Sequence, residues 1–129
     1  MKLTLAATGT ATPELAWERY MDTRLWPVWA PQIQGVESSG DRLAAGVTGR
    51  VVGPIGFAVN FVVDDVDEHA RIWTWHAWWQ THFLGLRLRH SVADDPRGSR
   101  TTLQIDGTPP LVLPYAPVVR FALTQLVKG

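Results

Sequence analysis

Apolar and polar side chains change their spacing twice along the chain, and these changes predict its elements. Lys2 to Thr8 alternates, with Leu3 and Leu5 between polar neighbours, and predicts a first strand. After a turn at Gly9 to Ala11, Thr12-Pro13-Glu14 makes a helix start: a capping hydroxyl, proline at the first helical position and an acid against the dipole. That helix runs to about Met21, with Ala16, Trp17, Tyr20 and Met21 on its buried stripe. Pro27 and Pro31 bracket the next stretch and leave room for a short second helix only.

From Ile33 a period of two takes over. Gln34 to Ser38 is a short strand, and Gly46 to Gly53 is a glycine-laden one that suggests a bend or a close backbone approach. Gly53 to Gly56 turns the chain. Phe57, Val59, Phe61 and Val63 then form a buried odd-numbered face, and Asp65 to His69 is a polar connection. Ala70 to Val92 predicts two long strands, Asp94 to Gly98 a turn, and Ser99 to Gly107 a last strand with Leu103 and Ile105 inward. Thr108 to Gly129 returns to helical spacing. Its four prolines put the regular part between about Pro114–Pro117 and Lys128-Gly129, with Tyr115, Val118 or Val119, Ala122, Leu123 and Leu126 as the apolar stripe.

The stretch from Ala70 to Val92 is the most informative, because four of the seven tryptophans fall between Trp73 and Trp79. A two-residue loop at Gln80-Thr81 sets Trp75 opposite Leu86, Trp73 opposite Leu88, and His90 near Arg71. Trp73, Trp75, Ala77 and Trp79 then share a face with Leu84, Leu86, Leu88 and His90; a four-residue loop keeps the same parity and a three-residue loop breaks it. His76, Trp78, Phe83, Arg87 and Arg89 take the other face, where Trp78 and Phe83 are an exposed pair or a patch on which a homodimer would rest. Keeping Phe61 aligned with Trp73 and Trp75 requires an odd-length loop or a bulge near Asp65 to His69.

Strand, two short helices, a run of antiparallel strands and a long terminal helix make an α+β chain. Three stretches carry a resemblance: Thr12-Pro13-Glu14-Leu15-Ala16-Trp17 with Asp22 and Trp26-Pro27-Val28-Trp29; Val63 to Trp75, with an acidic turn before Arg71-Ile72-Trp73; and Gly98-Ser99-Arg100-Thr101-Thr102-Leu103. In this order they resemble the START-related helix-grip (SRPBCC) superfamily, including its polyketide cyclase/dehydrase-like domains. The resemblance spans nearly the whole chain. It implies a single START-like helix-grip domain over residues 1–129, with a curved sheet of about six to seven strands wrapped round the C-terminal helix. It also implies a deep apolar cavity for a small hydrophobic ligand of the lipid, steroid or aromatic polyketide class. It does not imply one activity, so a cyclase or aromatase using polar groups in the same cavity stands as the alternative. The lining expected is Trp26, Trp29, Phe61, Trp73, Trp75, Trp79, Leu86, Leu88, His90, Tyr115 and Val119. Each tryptophan taken alone is as well explained by core filling.

Composition narrows the classes. Twelve basic and twelve acidic side chains cancel, which argues against a nucleic-acid partner and offers no polybasic membrane anchor. No apolar run reaches the ~20 residues of a membrane span. The absence of cysteine removes thiolate chemistry and Cys-type zinc sites, and fits a cytoplasmic protein. His69, His76, His82 and His90 are the metal-ligand candidates, but His82 and His90 stand ~26 Å apart along a strand and His76 faces away. Neither a metal nor a cofactor is therefore expected. His90 and Tyr115 are the polar groups best placed to meet a ligand. His90 reads either as a donor or base in the cavity or as a hydrated residue at a strand end.

Overall fold

The computed structural model describes residues 1–80 and 85–129. Strand β1 (Lys2–Gly9) leads to helix α1 (Pro13–Met21) and, through a 3-10 turn at Thr23–Leu25, to α2 (Trp26–Trp29). Then come β2 (Gly35–Ser38), β3 (Thr48–Val52), β4 (Ala58–Asp67), β5 (Ile72–Trp78), β6 (Gly85–Asp95), β7 (Gly98–Gly107) and helix α3 (Pro109–Leu126). The strands form one antiparallel sheet in the order β1-β7-β6-β5-β4-β3-β2, curved round α3. This is the α+β helix-grip arrangement.

The helix starts follow from the chain's own chemistry. Thr12 Oγ1 accepts from Leu15 N at 3.1 Å, and Pro13 occupies the first turn, where no N–H is needed. At the other end of α1, two indoles satisfy carbonyls the helix leaves open. Trp29 Nε1 donates to Arg19 O and Trp26 Nε1 to Tyr20 O, both at 2.8 Å. The tryptophans of α2 are thus fixed by α1 before they meet the sheet.

The β5–β6 pairing differs from the expected register. Trp73 stands opposite His90, Trp75 opposite Leu88 and Ala77 opposite Leu86, and the last described pair is Trp78 with Gly85. The register has moved by two residues, because more chain separates the strands than a two-residue loop. An even slip leaves every side chain on its face. Thr81, His82, Phe83 and Leu84 lie outside the described residues. The bulge the alignment required exists, but at Asp64 in β4 rather than in the connection, and the strand continues to Asp67. On the outer face beside it, His76 Nδ1 lies 2.5 Å from Asp64 Oδ2 without the alignment of a hydrogen bond.

Helix α3 begins at Pro109, ahead of the start its prolines suggested, and ends at Leu126. Pro114 and Pro117 sit inside it. Both are exposed, as are Pro110 and Leu113 four residues before them, so the carbonyls that lose a partner are on the solvent side. Its C-terminal end is held tightly. Arg19 Nη1 donates to Leu126 O at 2.6 Å and Lys128 O at 2.7 Å, and Ala11 N donates to Val127 O at 2.9 Å. A side chain at Gly9 would collide with that same Val127 carbonyl, so the approach of β1 to the helix end requires glycine.

Gly9→Ala is expected to lower the unfolding free energy by about 1–3 kcal/mol, since the obstacle is backbone that cannot swing aside. A fall in the urea midpoint at unchanged m-value checks it.

Candidate functional site

Between the concave face of the sheet and α3 lies a cavity of about 290 Å³. Its wall takes Trp73, Trp75 and Ala77 from β5 and Leu86, Leu88 and His90 from β6; its floor takes Trp26 and Trp29 from α2, and its roof Tyr115, Val119, Ala122 and Leu123 from α3. Among the described residues, no charged side chain lines it.

Ten of the eleven expected lining residues border this space: Trp26, Trp29, Trp73, Trp75, Trp79, Leu86, Leu88, His90, Tyr115 and Val119. Phe61 does not. It is fully buried behind Trp26 and Trp75, at ring distances of 5.9 and 5.6 Å, and fills the space that Gly49 on β3 leaves without a side chain. Trp79 borders the cavity at its rim rather than its wall. Strand β5 has ended, Gln80 takes a positive φ of 65°, and the Trp79 ring, 37 % exposed, packs on Phe57 at 5.5 Å. Trp78, expected outside, is the last residue of β5 and keeps its alternation, half-buried where Trp75 and Ala77 are buried; it borders both the cavity and an outer groove shared with His76 and Arg87. Phe57, Gln32, Val51 and Val59 are further lining residues that the sequence reading did not assign. The odd-face pattern of Phe57 and Val59 was the one signal that pointed to any of them.

His90 lines the cavity but does not sit at a strand end. It lies within β6, 5 % exposed, opposite Trp73 and not Arg71. Its ring stacks on Trp73 at 4.5 Å with 10° between planes, and the edge of Tyr20 closes on it at 4.8 Å. Neither imidazole nitrogen has a protein partner. Burial pulls its pKa down to about 3, so the ring is neutral at physiological pH. Tyr20 offers it no hydrogen bond. The Tyr20 hydroxyl donates to Thr101 Oγ1 at 2.5 Å, and Thr101 passes its own proton to Ser91 O at 3.0 Å. Burial also pushes the Tyr20 phenol up, which keeps it protonated. Tyr115, half-buried on the roof, is desolvated by its apolar neighbours and pushed up to about 12.

The indoles divide by their N–H. Trp17 donates to Glu68 Oε1 at 3.2 Å, and Trp26 and Trp29 donate to α1 carbonyls. Trp73 and Trp75, stacked on each other at 5.3 Å, have buried Nε1 atoms without a partner. Gln32 Oε1 is a further unpartnered atom on the lining. Among the described residues no three His, Cys, Asp or Glu side chains gather as metal ligands would, and no helix is long and apolar enough to cross a membrane.

No family model matches the chain, and no curated protein does. Solved structures do share its fold. The crystal structure of Ara h 8.0201 superposes with a TM-score of 0.77 at 12 % identity, covering 98 % of this chain and 95 % of that one. Protein MLL2253 from Mesorhizobium loti superposes with a TM-score of 0.77 at 14 % identity, covering 98 % and 96 %. At these identities the likeness extends to the helix-grip fold and no further.

The depressed His90 pKa has a stability consequence. Between about pH 6.5 and 3 the unfolded chain binds a proton at His90 that the folded chain does not, so stability falls as pH falls through that window. His90→Phe removes this contribution. Its unfolding free energy is expected to decline less steeply on acidification than that of the wild type, by up to about 1.4 kcal/mol per pH unit. Parallel urea titrations of the two proteins between pH 7 and pH 4 check it.

Proposed function

We propose that the protein binds a small hydrophobic molecule, of the lipid, steroid or aromatic polyketide class, in the cavity between the sheet and α3. The observation that carries this reading is an apolar, aromatic-walled space with no charged lining side chain among the described residues. Trp26, Trp29, Trp73, Trp75, Leu86, Leu88 and Val119 would make the apolar contacts, Trp79 would meet the ligand at the rim, and His90 and Tyr115 would face its polar groups. The sheet that supplies the wall and the helix that supplies the roof also supports taking residues 1–129 as one domain. Absence of cysteine is what favours a cytoplasmic setting.

A cyclase or aromatase of the polyketide kind is the second reading, favoured by His90 and Tyr115 meeting in one cavity. General acid–base groups work best with pKa values near the operating pH. A histidine near 3 and a phenol near 12 are both far from it, so binding accounts for this pair better than proton transfer does.

Saturable change in tryptophan fluorescence is expected with at least one class in a panel of fatty acids, steroids and aromatic polyketides. No response from any class counts against the reading. Ala122, buried on the roof, is the residue to enlarge. Ala122→Phe should weaken whichever ligand binds by tenfold or more while the melting temperature stays within several degrees, because the added ring takes the ligand's space.

A further inference from the structure

Resting on the reading that the cavity binds a hydrophobic molecule, we infer that its wall recognises an uncharged oxygen group on that molecule, a carbonyl or a hydroxyl, through His90 and the indole N–H groups of Trp73 and Trp75. Four buried nitrogens carry the inference: Nδ1 and Nε2 of His90, Nε1 of Trp73 and Nε1 of Trp75. They belong to three side chains in mutual ring contact, with centroids 4.5 Å apart for Trp73 and His90, 5.3 Å for Trp73 and Trp75, and 6.1 Å for Trp75 and His90. All three line the cavity.

Buried polar nitrogens ordinarily find partners, and other indoles and the phenol of this core do so. Trp17, Trp26 and Trp29 all donate to protein oxygens, and Tyr20 donates to Thr101. Of the seven unpartnered buried side-chain atoms among the described residues, four belong to one stretch of cavity wall, the others being Gln32 Oε1, His76 Nδ1 and Ser99 Oγ. A neutral imidazole offers one donor and one acceptor, and each indole offers one donor. The set therefore holds three donors and one acceptor, which matches an oxygen that accepts from the wall. A hydroxyl can in addition donate to the imidazole nitrogen that carries no proton.

Charge sets the remaining boundary. Among the described residues the lining holds no lysine, arginine, aspartate or glutamate, so a buried carboxylate or ammonium would lose its hydration without gaining a counter-ion. The four nitrogens belong to rings in mutual contact, so an oxygen that bonds to one ring acts on its neighbours. Binding should therefore alter the environment of both indoles together.

Three compounds on one bicyclic skeleton test this: tetralin, β-tetralone and the tetralin carboxylate, each titrated at neutral pH into the full chain and followed by the indole N–H resonances of a ¹⁵N-labelled sample. The ketone is expected to bind at least tenfold more tightly than tetralin, with the carboxylate weaker than both. Two of the seven indole signals should move downfield, identified by their loss in Trp73→Phe and Trp75→Phe. Equal binding of ketone and hydrocarbon, or tightest binding by the carboxylate, overturns the polar-group assignment and leaves hydrophobic binding standing. Failure of all three to bind overturns both. His90→Phe keeps a ring against Trp73 and removes both nitrogens, so it should bring ketone and hydrocarbon to within threefold of each other. An undiminished ketone preference in that variant excludes His90. Should the variant not fold, the three titrations of the wild-type chain decide alone.

Discussion

The clamp on the C-terminal end of α3 is the constraint on which the cavity depends. Ala11 N and the Arg19 guanidinium take up the carbonyls of Val127, Leu126 and Lys128, and Gly9 lets β1 come close enough for the contact to form. Leu123, Leu126 and Val127 are buried beside the clamp, as are Val112 and Val119 nearer the start of the helix, while Leu113, Val118 and Phe121 lie on its exposed face. With its C-terminal end fixed in this way, α3 spans the sheet's concave face and roofs it with Tyr115, Val119 and Ala122. The small side chain at Ala122 keeps that roof thin.

Much of this arrangement was legible because strand geometry has a parity. The β5–β6 register stands two residues from the one a two-residue loop gives, as the longer loop of the same parity would place it. Trp73, Trp75, Leu86, Leu88 and His90 nevertheless stayed on the inner face, since an even displacement cannot exchange faces. The need for a bulge ahead of Trp73 followed from the same parity, although its position at Asp64 did not. Parity carries no further than the strand: Trp78, the last residue of β5, still alternates, whereas Trp79 just beyond it sits at the rim rather than on the wall.

Depth is the other property that a one-dimensional pattern does not hold. Phe61 shares a face with Val59, yet Val59 reaches the cavity and Phe61 is sealed behind two indoles. That difference comes from α2, whose tryptophans are pinned by the open carbonyls of α1 and laid over Phe61. No local signal in β4 announces a neighbour so remote in the chain. Proline gave a false boundary for a related reason. Its cost depends on where the released carbonyl points, and α3 turns Pro114 and Pro117 toward solvent.

The energetic standing of the aromatic wall follows from its unpaired nitrogens. Leaving a buried polar group unsatisfied costs about 1–3 kcal/mol, against a total stability of about 5–15 kcal/mol for a typical domain. Four nitrogens without a protein partner fall in three touching rings, which also contribute ring stacking and the apolar area of the indoles. Phenylalanine at Trp73, Trp75 and His90 would keep the stacking and most of the apolar area without the penalty. The same chain shows that it can satisfy indoles, since those of α1 and α2 are all paired. Four of the seven unpartnered buried side-chain atoms among the described residues fall in these three rings, and such a concentration of broken local rules marks a place built for something other than stability. In this fold the place is the inner wall of the cavity, against which a bound molecule would lie.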